Sequence, residues 1–86
     1  MHRQIVDSSN IISIGYDPQT RILEVEFGKD YPEDPDNRIY QYRDVPPEVH
    51  QELMDHSSHG HYLCMHIAYE FPYQRIGTRG ELEPAG

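Results

Sequence analysis

Alternating apolar and polar residues predict two strands joined by a turn in the first third of the chain. In "NIISIGYD", Ile12, Ile14 and Tyr16 share one face at a period of two. In "RILEVEF", an apolar face is expected to meet the core and a largely polar face to meet water. The apolar face holds Leu23, Val25 and Phe27, and the polar face Ile22, Glu24 and Glu26. "DPQT" between the strands is typical of a tight turn, so the pair predicts a hairpin.

A third strand and a helix follow after a loop rich in proline and acids at residues 28–37. "RIYQYRDV" alternates Tyr40 and Tyr42 with other side chains, which indicates a strand. In "VPPEVHQELMDHSS", Pro47 suits the first turn of a helix, where a missing N–H costs nothing. Val49 and Leu53 stand four residues apart on one side of this helix. We expect that side to pack on the apolar face of the second strand.

Residues 61–71, "HYLCMHIAYEF", fit two interpretations. As a helix they align Leu63, Ile67 and Phe71, and as a strand the same face also takes in Met65 and Tyr69. Periodicity does not decide between them for a run of this length. Pro72 is expected to end the element, and "YQRI" adds a short extended piece.

These elements predict an α+β fold: a small antiparallel three-stranded meander packed with one or two C-terminal helices. A chain of 86 residues has room for one core. We expect a lead-in at residues 1–7, a single domain at 8–76 and a flexible polar tail at 77–86.

Composition narrows the classes of function. The formal net charge is −8, from fifteen acids against seven bases, which repels nucleic acid and anionic membranes at long range. No apolar run is long enough to cross a bilayer. The single cysteine excludes an internal disulfide and fits a reducing compartment. We therefore expect a cytoplasmic protein without membrane contact.

The segment "HSSHGHYLCMH", residues 56–66, contains four of the six histidines. His56, His59 and His61 are the candidate ligands for Zn²⁺. Their spacing matches no His-x₃-His pattern, and a metal site demands fixed ligand geometry. The favoured interpretation is a helix end with surface imidazoles, without metal or any other cofactor.

Cys64 follows His61 by three residues, so a helix would bring the two side chains to one face. A Cys–His nucleophile also needs an orienting group and an oxyanion site, and neither is visible in the sequence. The apolar neighbours of Cys64 suit a buried, unreactive thiol. We therefore expect no enzymatic activity, with a Cys/His enzyme as the least favoured hypothesis.

The order of these segments resembles the KTSC domain, a module at the C-terminus of some lysyl-tRNA synthetases that also occurs as a free-standing bacterial protein. The resemblance rests on "SSNIISIGYD", "LEVEF", "YQY", "VPPEVHQEL", "SSHGHYL", "MHI" and "FPYQRI". Relatives commonly carry Lys or Arg where this chain has His61, and Ile-Arg where it has Ile67 and Ala68. An RNA-binding role has been suggested for the family, so the resemblance implies an RNA or nucleotide-like ligand.

The first functional hypothesis is therefore a small non-catalytic binding module for RNA or a nucleotide-like ligand, without DNA specificity. Aromatic residues on a sheet stack bases in several small domains, and a glycine lets backbone N–H groups approach a phosphate. The candidate ligand-binding residues are Tyr40, Tyr42, Arg43, Ser58, Gly60 and His61. The alternative is an acidic protein-interaction adaptor that binds a protein partner or a second copy through an open strand edge.

Overall fold

The computed structural model describes residues 1–29 and 34–82. The strands are β1 (Gln4–Ile5), β2 (Ile11–Asp17), β3 (Ile22–Phe27), β4 (Arg38–Tyr42) and β5 (Tyr73–Thr78). Between β4 and β5 lie helix α1 (Pro47–Asp55) and helix α2 (His59–Tyr62), which continues as a π-helical segment (Leu63–Ile67); helix α3 (Arg79–Leu82) follows β5. The predicted α+β class is confirmed.

The strands form one open antiparallel sheet in the order β1-β2-β3-β4-β5. The predicted meander corresponds to β2, β3 and β4, so the expectation of three strands was too small by one strand at each edge. β1 contains only two residues, and the first half of β5 is exposed, so neither shows the apolar alternation of a half-buried strand. Gly77 lies near an irregularity in the β4–β5 register and has a φ of 152°, which glycine adopts without a Cβ clash.

One face of the sheet, the helix face, is covered by α1 and by the helix formed by α2 and the π-helical segment. Leu53 of α1 lies in the same fully buried cluster as Leu23 and Val25 of β3, and Val49 packs against that cluster. The predicted packing of α1 on the apolar face of the second strand is confirmed. Burial of a leucine or valine stabilises the fold by about 1.5–3 kcal/mol per side chain.

The register of β2 differs from the predicted alternation. A bulge lies between Ile11 and Ser13, and such an extra residue moves the side chains before it to the other face. Ile11 therefore belongs to the core cluster with Ile14, whereas Ile12 contacts the region of Gly28 outside that cluster. The hydrophobic alternation of β2 was correct only after the bulge.

Residues 61–71 are helical over most of their length, which decides between the two interpretations. Leu63 and Ile67 are buried, and the Ala68 N–H donates to the Leu63 carbonyl at 2.8 Å, the i to i+5 pairing of a π-helix. Because Leu63 and Ile67 turn inward, Cys64 between them is exposed. The expectation of a buried thiol was wrong.

The opposite face of the sheet, the back face, is not the water-facing surface that the alternation of β3 predicted. Glu24 and Glu26 are both buried, and Glu26 has no exposed surface. Arg3, next to β1, and Arg79, at the start of α3, reach across this face to the two carboxylates. The segments expected as lead-in and tail thus contribute β1 and α3, and residues 83–86 lie outside the described residues.

Hydrogen bonds satisfy the buried carboxylate of Glu26. It accepts from the Ser13 hydroxyl at 2.7 Å, from the Asn37 amide at 2.9 Å, and from Arg79 Nη1 at 3.1 and 3.2 Å. Arg3 donates to Ser13 Oγ at 2.9 Å and extends the network. Within the described residues, no buried side-chain nitrogen or oxygen lacks a hydrogen-bond partner. The back face is therefore a closed polar network, the form in which buried charges are tolerated.

The helices are short. In residues 1–29 and 34–82, no helix has the length and apolar character needed to cross a membrane.

Candidate binding groove

A cavity of about 340 Å³ opens on the helix face at the β4–β5 end of the sheet. We call it the tyrosine compartment. Its lining comes from β3, β4, β5 and the turn after the π-helical segment, and consists of Phe27, Arg38, Tyr40, Tyr42, Ala68, Tyr69 and Tyr73. Four tyrosines and one arginine around a single cavity form an aromatic site with one cation.

The sheet register fixes the mutual arrangement of the aromatic rings. Tyr42 pairs with Tyr73 across β4 and β5, with ring centroids 5.7 Å apart. Tyr40 lies 6.0 Å from Tyr73 and packs edge-on against Phe27 at 5.4 Å. Tyr73 is 57% exposed and Tyr69 is 86% exposed. The compartment therefore has a packed aromatic floor and two rings that are accessible to a ligand.

Tyr42 is the buried member of the four tyrosines. Burial, with smaller effects from Tyr40 and Tyr73, raises the pKa of Tyr42 to about 12. Its hydroxyl therefore remains protonated throughout the physiological range and keeps its capacity to donate a hydrogen bond.

A second cavity of about 410 Å³ adjoins the first; we call it the polar compartment after the Asn10, Lys29 and Arg38 side chains in its lining, although most of its lining surface is apolar. The two compartments share Phe27, Arg38, Tyr42 and Ala68. The remaining lining is Asn10, Ile11, Gly28, Lys29, Gly60, Leu63 and Cys64. Together the compartments form one groove with Arg38 at the boundary.

The groove is locally basic although the chain is acidic. Lys29 and Arg38 line it, and Arg75 lies opposite Tyr40 in the β4–β5 register. None of these three side chains forms an ion pair with a residue that the structure describes. The acids of β3 point to the back face and bind Arg3 and Arg79.

Three of the six predicted ligand-binding residues lie in the groove. Tyr40 lines the tyrosine compartment, Gly60 lines the polar compartment, and Tyr42 lines both. The other three, Arg43, Ser58 and His61, are exposed and line neither compartment.

The polar residues outside the groove have other contacts. The Arg43 N–H donates to the Pro72 carbonyl at 2.8 Å, which joins the end of β4 to the start of β5. Ser58 caps α2, its hydroxyl accepting from the His61 N–H at 3.3 Å. The His61 ring faces that of His56, with centroids 6.1 Å apart.

The histidines proposed as metal ligands contact the backbone around the α1–α2 connection. His56 Nδ1 accepts from the Ser58 N–H at 3.0 Å, and His59 Nδ1 lies 2.8 Å from the Leu53 carbonyl oxygen. Across the described part of the chain, no group of three or more His, Cys, Asp or Glu side chains is arranged to hold a metal ion. The histidine segment therefore connects two helices.

Sequence reasoning missed Tyr69 and Tyr73 as groove residues. They lie three residues before and one residue after Pro72, where the chain leaves the second helix and enters β5. The available signal was an aromatic pair around a helix-ending proline, outside any apolar alternation. Cys64 was missed because its apolar neighbours suggested burial, whereas it lines the polar compartment.

Comparison with known proteins identifies the family. The KTSC domain family matches residues 7–71, which is most of the chain. The chain belongs to the KTSC domain family. A protein of Stutzerimonas stutzeri (strain A1501), described as uncharacterized, is 39% identical over 77 residues, covering 88% of this chain and 99% of its own length.

The KTSC assignment also holds at the level of structure. The crystal structure of a KTSC domain protein from Yersinia pestis matches with a TM-score of 0.74 and 39% sequence identity. The match covers 88% of this chain and 97% of that protein. Tyr73, which lines the tyrosine compartment, lies beyond the segment matched by the KTSC family.

Proposed function

We propose that this KTSC domain is a non-catalytic module that binds a ligand containing a nucleobase, either single-stranded RNA or a free nucleotide, in the tyrosine compartment. The observation that carries the proposal is the pair of exposed rings, Tyr69 and Tyr73, beside a cavity that Arg38 also lines. Small-ligand sites have volumes of about 300–1,000 Å³, and this compartment lies within that range.

Physical chemistry supports a planar aromatic ligand. Stacking of a base on an aromatic side chain contributes about 1–3 kcal/mol and tolerates any base, because every base has a π face. Tyr73 belongs to a strand and is packed by Tyr40 and Tyr42, so little conformational entropy is lost when a base stacks on it. Arg38 and Arg75 supply local positive charge that opposes the long-range repulsion from a net charge of −8.

The test is fluorescence anisotropy of a short labelled single-stranded RNA at low salt. Tyr73→Ala should weaken binding by about 1–3 kcal/mol, roughly 5- to 150-fold in Kd, whereas Tyr73→Phe retains the ring and should bind like the parent protein. Arg38→Ala should weaken binding, and Arg43→Ala, which removes the same charge outside the groove, should not. Added salt should reduce affinity steeply.

Two results would contradict the proposal. One is the absence of any binding of RNA or free nucleotides at low salt. The other is binding that Tyr73→Ala leaves unchanged, since the ligand would then lie elsewhere on the surface. Circular dichroism of each variant checks that the fold is retained.

The proposed module does not require covalent chemistry. The absence of a hydrogen bond between Cys64 and a histidine in residues 1–29 and 34–82 supports a non-catalytic role. Cys64→Ser should therefore leave RNA affinity within about twofold of the parent value, since a hydroxyl replaces the thiol with little change of shape. Loss of binding in this variant would point to a role for the thiol.

A second candidate function is protein contact, including self-association. Met65 is 58% exposed, and Tyr69, which lines the tyrosine compartment, is 86% exposed, so the chain presents two large exposed side chains in this region of the sequence. β5 is also an edge strand of the sheet, and edge strands are the usual place for pairing with another chain. A doubled mass in light scattering at micromolar concentration would favour this function, and a monomer mass would argue against the homodimer.

A further inference from the structure

We infer that the ligand of the groove carries a phosphate group, which the polar compartment binds while the attached base stacks in the tyrosine compartment. The inference rests on the proposed function and adds that the protein binds the phosphate of the nucleotide, in a compartment next to the one that binds the base. It distinguishes a nucleotide unit, free or within a strand, from a free base, a nucleoside or an uncharged aromatic compound.

Continuity of the two compartments is the first support. Arg38 and Tyr42 line both of them, so the two compartments adjoin at Arg38. The cation thus lies where the aromatic part of a nucleotide would give way to its charged part. Arginine is well suited to this position because its fork of N–H donors matches phosphate oxygens.

The polar groups of the second compartment are mainly donors. Lys29 adds a second cation, and Asn10 adds a side-chain amide. Tyr42 lines both compartments with its hydroxyl as a protonated donor, and burial raises the pKa of that hydroxyl further, to about 12. Among the residues that the structure describes, those that line this compartment include no Asp or Glu. Two cations together with neutral donors favour an anion over a cation or a neutral ligand.

Charge elsewhere in the fold reinforces this preference. Glu24 and Glu26, on the neighbouring strand β3, project to the back face and are buried against Arg3 and Arg79. Their charges are compensated there and separated from the groove by the sheet. The cations of the groove therefore act on a ligand without a compensating carboxylate from β3.

Gly60 provides space and a means of testing the inference. A Cβ at this position would meet only the Ser8 hydroxyl, at 3.7 Å, which is ordinary van der Waals contact. The fold therefore has room for a Cβ at this position, and Gly60 lines the polar compartment. Gly60→Glu and Gly60→Gln form a matched pair, because the two side chains have nearly the same size and differ in charge.

The experiment is calorimetric titration with adenosine, adenosine 5′-monophosphate and adenylyl-adenosine. The monophosphate should bind about tenfold to a hundredfold more tightly than adenosine, the range expected for one charge-assisted hydrogen-bonded group. Lys29→Gln and Gly60→Glu should remove most of that difference, which is measured within each variant as the ratio of the two dissociation constants. Gly60→Gln should retain the preference for the monophosphate.

The outcomes separate the inference from the function on which it rests. Equal affinity for adenosine and its monophosphate, with both lost in Tyr73→Ala, would overturn the phosphate inference and leave base binding intact. No binding of any of the three compounds or of RNA would overturn both. Tighter binding of adenylyl-adenosine than of the monophosphate supports the inference and assigns the phosphate to a strand, and the reverse order supports it and assigns a free nucleotide.

Discussion

Replacement of Glu26 by glutamine tests how strongly the back-face network stabilises the domain. The Glu26 side chain has no exposed surface and accepts hydrogen bonds from Ser13, Asn37 and Arg79. Glutamine has nearly the same shape but carries no charge, and its NH₂ group replaces one acceptor oxygen. Glu26→Gln therefore leaves the Arg79 guanidinium beside a neutral side chain. The new NH₂ group also faces groups that donate hydrogen bonds themselves and cannot pair with it.

The magnitude follows from the burial of the pair. Removal of one partner from a buried ion pair costs about 3–5 kcal/mol, because the other charge stays buried without compensation. Arg79 is only partly buried, so water compensates part of its charge. We expect a loss near the lower end, about 3 kcal/mol. A domain of 86 residues has a free energy of unfolding of roughly 4–13 kcal/mol, so this loss is a large fraction of the total.

Urea denaturation followed by circular dichroism measures the loss. With an m value of about 1–3 kcal/mol per M, the midpoint for Glu26→Gln should fall by roughly 1–3 M. Glu70→Gln makes the same chemical change at an exposed position and should alter stability by no more than about 0.5 kcal/mol. A loss below about 1 kcal/mol in Glu26→Gln would refute the reasoning, since the network would then contribute no more than a surface pair.

Two further predictions concern the core and pH. Leu53→Ala should lower the free energy of unfolding by about 2–5 kcal/mol in the same urea assay, because Leu53 is fully buried, whereas Met65→Ala should change it by no more than about 0.5 kcal/mol. Burial lowers the pKa of His50, so below about pH 6.5 the unfolded chain binds a proton that the folded chain does not, and stability falls as pH decreases. In His50→Gln, the urea midpoint should fall less between about pH 7.5 and about pH 5.5 than it does in the parent protein. An equal fall in the two proteins would contradict the assignment of this pH dependence to His50.

The helix face could be predicted from sequence because its chemistry is local. Leu23, Val25 and Leu53 follow the periods of a strand and a helix, and those periods alone direct them to one core. The back face could not be predicted in this way. A strand that alternates apolar with Glu has the same pattern whether water or arginine meets the carboxylates. Here the decisive partner, Arg79, lies 53 residues from Glu26 in sequence.

The groove could be predicted from sequence only in part, because only some of its residues follow the local period of a strand. Tyr40 and Tyr42 were identified because strand alternation sets both rings on one face of β4. Tyr69 and Tyr73 required the return of the chain after Pro72 as a strand beside β4. The pairing of β5 with β4 depends on where the second helix ends, and no periodic pattern in the sequence predicts that pairing.

The back-face network has a practical consequence for attaching reporters. Arg3 and Arg79 hold the first strand and the last described helix against Glu26, on the side of the sheet that faces away from the four tyrosines. A dye, a surface anchor or a fused fluorescent protein joined near either segment would emerge behind the sheet. Such a label leaves the aromatic entrance unobstructed, so immobilised and tethered formats should report the same affinity as the unlabelled domain.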